Sequence, residues 1–370
     1  MKRLFKDSNN KVAEKIISSK EIDIVGNEEY FRIGVLVNGI SIDNGFSNSI
    51  NPPALIPRFE LCIGESKRHT TVRLNSNSPF LFNKNTLSAK INSSVHAVHA
   101  EMFNRLVGDK DYSFSPIRAN GDSLVFDWVH SFCDYFCKFC FKEYDWVIQK
   151  SLGISHSKES EIERNIEYIS EYLLTGKQND YSVIWLCTGS LSDPLMEREQ
   201  HLKVLDLIRS NKYSGRVFMS SAPPKDIVFN KEKSLKVFNE FKNHGLDRLN
   251  SGMELVNTKF RKEYIKGFKG SLTCKDYCHF LENAKCVFGN NVGSCVLVGL
   301  EPHNNSLEGL LQFSKRGIQS VPTIYTSFVK SQLNNKVFGD VDEFVRTSLS
   351  YKDMIKRYNI EIFKSVFGLV

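Results

Sequence analysis

The second half of the chain alternates between two patterns of apolar and polar positions. Short apolar runs, SVIWLC (182–187), RVFMS (216–220), GSCVLVG (293–299) and SVPTIY (320–325), have the length and side-chain types of buried strands. Between them lie stretches with a helical period. In EIERNIEYISEYLLTG the apolar Ile162, Ile166, Ile169 and Leu173 recur at spacings of 4, 3 and 4, which puts them on one helix face. SLKVFNEFKNHG, DYCHFLENAKCVFG and SLEGLLQFSKRG read the same way. These four stretches end in Gly176, Gly245, Gly289 and Gly317, and glycine is the residue that best tolerates a left-handed backbone at a helix C-terminus. Strand, helix, glycine, strand, repeated, predicts βα units and a parallel sheet, because a parallel neighbour is reached only through a long crossover. SLVFDWV (123–129) and LDRLNS (246–251) bring the predicted strands to six. The fold class expected is α/β, a (β/α) partial or full TIM-type barrel.

The flanks read differently. FRIGVLVNGISID (31–43) and TTVRLNSNSPFLFN (70–83) are rich in strand formers and are broken by Asn, Gly, Ser and Pro. NPPALIPRF (51–59) is a proline-rich connector. Residues 1–120 are therefore expected to form an N-terminal β-rich accessory region, residues 121–328 the barrel, and residues 329–370 a C-terminal helical extension, with a helix within 340–367. The chain shows no internal repeat beyond the βα alternation and no low-complexity segment.

Composition narrows the class. The 370 residues are 41% hydrophobic and 25% charged, as in an ordinary globular protein. No apolar run approaches the roughly 18 residues of a membrane span. The start, MKRLFKDSNNKVAEK, is basic but lacks a following apolar segment, so no secretory signal is expected and the location expected is cytoplasmic. The nine cysteines are then better read as metal, catalytic or core residues than as disulfides. The net charge of +7 is spread along the chain. It suits a solvated basic surface, or an anionic substrate or nucleic acid, but no nucleic-acid-binding motif accompanies it.

The candidate chemistry lies in HSFCDYFCKFCFKEYDW (130–146), which holds Cys133, Cys137 and Cys140. Their spacing is Cys-x3-Cys-x2-Cys, directly after the first predicted barrel strand, hence on a βα loop at the face where barrel enzymes carry their chemistry. Three thiolates on one short loop can converge on zinc, with His130 as a fourth ligand, or on an iron–sulfur cluster with one iron left open.

The triplet, with the aromatic Phe139 before its last cysteine, resembles the signature of the radical S-adenosylmethionine (radical SAM) enzymes. The resemblance covers roughly residues 123–328 and implies a [4Fe–4S] cluster on Cys133, Cys137 and Cys140. In that family the open iron is chelated by the amino and carboxylate groups of S-adenosyl-L-methionine, and Phe139 would lie near the adenine. It further implies that the turn after the second strand binds the methionine amino group. The family's Gly-Gly-Glu is replaced here by Thr188, Gly189 and Ser190, with Asp193 nearby. After the third strand, Ser220 and Ser221 are candidates to face the pocket. Near the fourth, Asn250, Ser251 and above all Glu254 are candidates for the ribose or the methionine carboxylate. CVFGNNVGSCVLVGLEP (286–302) is similar to a segment of the biotin-synthase-like branch, which would place Val298, Gly299, Leu300 and Glu301 in the adenosyl pocket. Val321, Pro322, Thr323 and Ile324 would complete the adenine side, and His303 and Tyr325 are candidates to touch substrate.

The implied activity is reductive cleavage of S-adenosyl-L-methionine to a 5′-deoxyadenosyl radical, which takes hydrogen from a small molecule or short peptide in a biosynthetic pathway. The implied partners are that substrate and an electron donor such as flavodoxin or ferredoxin, with no membrane and no nucleic acid. Two alternatives stay open: a radical SAM enzyme that modifies RNA or protein, and a non-catalytic zinc module. Cys274, Cys278, Cys286 and Cys295 could hold an auxiliary cluster, but each also fits core packing, as does Cys187.

Overall fold

A computed structural model describes residues 26–42, 58–63, 68–73, 78–103, 116–142 and 157–325, with short gaps inside these ranges, and residues 333 and 340–360. The connector 51–57, His130 and residues 361–367 lie outside the described residues. The chain divides into two units. The first comprises Met1–Ser113 with Ile324–Thr326 and Gly339–Thr347; the second comprises Phe114–Thr323 with Ser327–Phe338 and Ser348–Val370.

The first unit holds one helix, α1 (Asn27–Asn38), and six strands: β1 (Ser41–Ile42), β2 (Arg58–Ile63), β3 (Arg68–Arg73), β4 (Leu81–Asn83), β5 (Thr86–Ile91) and β6 (Ser94–Phe103). They form one sheet in the order β1-β4-β5-β6-β2-β3. All pairs are antiparallel except β1 with β4. The β-rich reading of 70–83 holds at its two ends, in β3 and β4. The reading of 31–43 as strand does not hold, because 27–38 is helix and only Ser41 and Ile42 join the sheet. Local β-propensity loses here to burial. Tyr30, Phe31, Ile33 and Val35 are fully buried, and a helix that is apolar nearly all round suits an interior position. Arg32 is held on this helix by Glu29, three residues earlier, at 2.6 Å.

The second unit is the barrel. Its sheet, in the order β13-β12-β11-β10-β9-β8-β7, consists of β7 (Ile117–Asn120), β8 (Ser123–Phe126), β9 (Val183–Cys187), β10 (Arg216–Ser220), β11 (Arg248–Asn250), β12 (Val292–Val298) and β13 (Gln319–Ile324). β8 through β12 pair in parallel, and β7 closes the edge as an antiparallel hairpin partner of β8. The six strands read from the sequence are all present, within three residues of the expected ends. The short β7 was not legible. The order is open, with β13 and β7 at its two edges, so the fold is a partial TIM-type barrel.

Helices α2 (Lys158–Leu174), α3 (Pro194–Ser210), α4 (Lys231–Asn243), α5 (Thr258–Tyr264), α6 (Gly267–Ser271), α7 (Cys274–Phe288) and α8 (His303–Ser314) connect the strands. α9 (Val341–Tyr358) follows them in the chain. Gly176, Gly245, Gly289 and Gly317 have φ of +75°, +91°, +60° and +62°, so all four helix-end glycines adopt the backbone that other residues resist. Alternate strand residues, among them Ile184, Leu186, Val217, Met219, Leu249, Val292 and Val296, pack under the helices into one core with Ile166, Ile169, Val204 and Phe280. The intervening residues face the helix-free inner side. Among the described residues no helix is long and apolar enough to cross a membrane.

Candidate cofactor site

In-register parallel pairing puts the inner side chains into rows. Val125, Trp185, Phe218 and Arg248 are successive partners; one pleat further come Cys187, Ser220, Asn250 and Gly293. The rows are tied together by side chains. Trp185 Nε1 donates to Ser220 Oγ at 2.9 Å and its ring meets Phe218 edge-on at 5.5 Å. Arg248 donates to Asn250 Oδ1 at 3.1 Å and to Gln319 Oε1 at 2.7 Å. Burial lowers the Arg248 guanidinium to about 10, with a further contribution from nearby Arg216. Ser220, Asn250 and Thr323 thus lie on the inner side and are half-buried. Trp185, Arg248 and Gln319, not singled out in the sequence, share it. Strand alternation from Ser220 and Asn250 is the signal that finds them.

The three cysteines lie on the loop after β8. Two tight turns shape it: Phe136 N donates to Cys133 O at 3.4 Å and Cys140 N to Cys137 O at 2.8 Å. Phe136 carries the unusual φ of +41°, a backbone conformation uncommon for a residue with a side chain. Cys137 is buried, while Cys133 and Cys140 are half-buried. Burial pushes the Cys137 thiol well up, and Cys140 and Cys133 raise it further. Burial also pushes the Cys140 thiol up to about 11, with Cys133 raising it further. Among the described residues no three Cys, His, Asp or Glu side chains converge on a single-ion site. A cluster does not require such convergence, since it takes one thiolate per iron. Phe139 is buried, while its neighbours Lys138 and Cys140 are half-buried.

The turn after β9 is zipped onto this loop. Asp134 N donates to Ser190 O at 2.9 Å, and Ser190 N points back to Cys133 Sγ at 3.4 Å. Thr188 Oγ1 accepts from Val129 N at 2.8 Å, and Gly189 N donates to Val129 O at 3.3 Å. A Cβ on Gly189 would stand 2.1 Å from Phe132 O, so glycine is required for this approach. Asp134 pairs with Lys158 and accepts from Ser192 N at 2.8 Å. Burial pushes its carboxyl up, but these donors outweigh it and hold the group below the usual carboxylate range. Asp193 caps α3, accepting from Leu195 N and Met196 N at 2.9 and 3.3 Å. α3 itself was not foreseen. Its start signal, an N-cap Asp followed by Pro, is present in the sequence.

Beneath the loop, the fully buried Asp127 accepts from Lys142 Nζ at 2.9 and 2.8 Å and from Arg118 at 3.3 Å. Lys142 also donates to Val129 O at 2.7 Å, joining the strand end to the chain beyond Cys140.

On the far side, the segment after β11 carries Glu254. Its φ is +62°, and its backbone bonds to Cys295 O and Leu297 N fasten it beside β12. Glu254 Oε1 accepts from Lys269 Nζ at 2.7 Å, while Glu254 Oε2 is buried with no hydrogen-bond partner. Arg261 organises this region. Its fully buried guanidinium donates to the carbonyls of Met253, Leu255, Lys269 and Leu272 at 2.5 to 2.7 Å and stacks over Tyr277 at 4.9 Å. Lys138 N donates to Tyr264 O at 2.8 Å and Lys266 N to Tyr135 O at 3.1 Å, which stitches α5 and α6 to the cysteine loop.

Glu301 is fully buried, with its oxygens accepting from Val256 N at 2.8 Å and Asn257 N at 2.9 Å. Its carboxylate therefore caps the start of α5, and burial still holds its carboxyl above the usual range. Gly299, at φ +102°, ends β12, with Val298 and Leu300 buried beside it. Ser221 N donates to Asn250 O at 3.2 Å, and Ser251 Oγ donates to Ser221 O at 2.8 Å. Val321 is half-buried; Pro322, Ile324, His303 and Tyr325 are buried. Of the other cysteines, Cys274 and Cys278 lie one turn apart on α7, half-buried and buried, and Cys286 is exposed on the same helix. Cys187 and Cys295 are half-buried on the inner side, and burial with Glu254 beside it pushes the Cys295 thiol up to about 12.

The donor set fits a thiolate-held cluster with an amino-acid or nucleoside ligand. Three neighbouring thiols offer soft ligands, and Glu254 Oε2 offers an open acceptor.

No family model matches the chain, and no curated protein does. Among solved structures it is similar to HydG, a maturase of the [FeFe]-hydrogenase, at 14% identity and a TM-score of 0.44. That match covers 65% of this chain and 51% of HydG, so the likeness spans about half of the longer protein. It is also similar to methylornithine synthase (PylB), at 12% identity and a TM-score of 0.43, covering 63% of this chain and 62% of that one. A further match is DHODH in complex with ferulenol from Eimeria tenella, at 13% identity and a TM-score of 0.28, covering 54% of this chain and 57% of that one.

Proposed function

We propose that the protein is a radical SAM enzyme in which Cys133, Cys137 and Cys140 hold a [4Fe–4S] cluster, acting on a small molecule or a short peptide. The observation that carries this reading is the placement of three thiols within eight residues on the βα loop after the first parallel strand of an open barrel. With S-adenosyl-L-methionine bound, such a cluster supplies a carbon-centred radical able to take hydrogen from an unactivated C–H bond.

The chain's own residues would position and shield that chemistry. The exchange of bonds between Asp134, Ser190 and Cys133 fixes one ligand's sulfur. Gly189 lets the turn after β9 close onto the cysteine loop, and Glu254 Oε2 can accept from a ligand hydroxyl or ammonium. Trp185 and Phe218, packed edge to face at 5.5 Å, put two aromatic rings on the inner side, where apolar surface would help to exclude water. No side chain has to serve as a strong acid or base. A flavodoxin- or ferredoxin-like protein is the class of electron donor this chemistry needs.

The test is anaerobic purification, reconstitution with iron and sulfide, reduction, and addition of S-adenosyl-L-methionine. A brown protein that releases 5′-deoxyadenosine is expected, and Cys137→Ala should form no stable cluster. His130→Ala should keep the cluster. A colourless protein with one zinc per chain, or a Cys137→Ala variant equal to wild type, would overturn the reading.

A further inference from the structure

Lys269 is a lysine only 9% exposed, on the short helix α6, and its ammonium meets Glu254 Oε1 at 2.7 Å. A buried ion pair is a poor way to stabilise a fold, because the desolvation of both ions offsets their attraction. Yet the structure invests heavily in placing this one. Arg261 grips Lys269 O on one side and the carbonyls flanking Glu254, those of Met253 and Leu255, on the other. The Lys266–Tyr135 backbone bond ties the start of the same helix to the cysteine loop, and the Lys138–Tyr264 bond ties the end of α5 to it. The two loop residues so held, Tyr135 and Lys138, stand on either side of Cys137.

We propose that Lys269 and Glu254 form a charge couple that sets how readily the centre held by Cys133, Cys137 and Cys140 accepts an electron. This rests on the reading of those cysteines as ligands of an iron–sulfur cluster. When a low-potential one-electron donor reduces the cluster, the donor loses one electron and the cluster becomes one charge more negative; no proton moves. An ammonium close by in a low-dielectric site favours the more negative state, and the adjacent carboxylate offsets part of that effect. Both are positioning residues that act through the field at the sulfurs.

The experiment is a potentiometric titration of reconstituted protein, without S-adenosyl-L-methionine, read by electron paramagnetic resonance, with iron content measured alongside. Lys269→Met should make reduction at least tenfold less favourable, about 59 mV more negative for a one-electron couple. Glu254→Gln, which keeps shape and removes charge, should move the potential the opposite way. Lys269→Arg should stay near wild type. Shifts of opposite sign with equal iron content support the couple, since a merely structural disturbance would not change sign with the charge removed. Iron-loaded variants with unchanged potentials, or both shifting in one direction, overturn the couple and leave the cluster reading intact. If Lys269→Met does not load, Glu254→Gln and Lys269→Arg decide by the same criterion. Wild type that takes up no iron overturns both readings.

Discussion

The amide of Ser190 points at the sulfur of Cys133 across 3.4 Å, while the carbonyl of Ser190 accepts from the residue next to that cysteine, Asp134. Two loops that lie 57 positions apart in sequence thereby act as one piece. The first cysteine of the triplet is positioned by the turn after the second parallel strand and not by its own loop alone. Its neighbours in that turn are therefore the places where the site is most sensitive.

Gly189→Ala follows directly. The new methyl would stand 2.1 Å from Phe132 O, a backbone atom that cannot swing aside. Overpacking of this kind costs about 1–3 kcal/mol. Denaturant unfolding should show that loss, and iron uptake after reconstitution should fall well below wild type, because the loop carrying Cys133 must move.

Lys142→Met tests the buried charge beneath the loop. Asp127 is fully buried and accepts two bonds from Lys142. Removing one partner of a buried pair costs about 3–5 kcal/mol; Arg118 at 3.3 Å keeps the expected loss near the lower end. Replacing Asp127 by Asn in the same chain should recover much of it, as a double-mutant cycle by urea unfolding would measure.

Arg261→Lys is expected to behave as a severe change despite keeping the charge. One ammonium cannot reach the carbonyls of Met253, Leu255, Lys269 and Leu272 together. Buried carbonyls left without a donor cost about 1–3 kcal/mol each. A large fall in the unfolding midpoint is expected, with faster hydrogen exchange at amides in α5 and α6.

Glu301 makes a pH prediction. Burial raises its carboxyl above the ordinary value of 4.5, so the folded state binds a proton more readily than the unfolded state. The charge is therefore a penalty at neutral pH. That penalty is relieved as pH falls through the raised value and is gone below the unfolded one. Glu301→Gln lacks the titration. The stability of wild type relative to this variant should rise as pH falls towards about 4.5, measured by unfolding across a pH series. The opposite slope would show that the bonds from Val256 and Asn257 dominate.

The periodic signals in the sequence determined the barrel. The six apolar runs became strands β8 to β13 of its sheet, and Gly176, Gly245, Gly289 and Gly317 all took positive φ. The cysteine triplet, in residue type and spacing, is likewise a local fact of the sequence. What local pattern could not supply was decided by long-range packing. Residues 31–38 look like a strand but form the buried helix α1, since tertiary burial outweighs a modest propensity. Glu254 could be singled out as a charge in an apolar setting, yet its partner Lys269 lies fifteen positions away on a helix too short to have a period of its own. The same holds for Arg248 with Gln319 and for Cys133 with Ser190. Such pairs arise only when crossovers bring distant strand ends together. The sequence alone thus supplies the strand pattern and the cysteine spacing, while the tertiary structure sets the charges and hydrogen bonds around the cysteines.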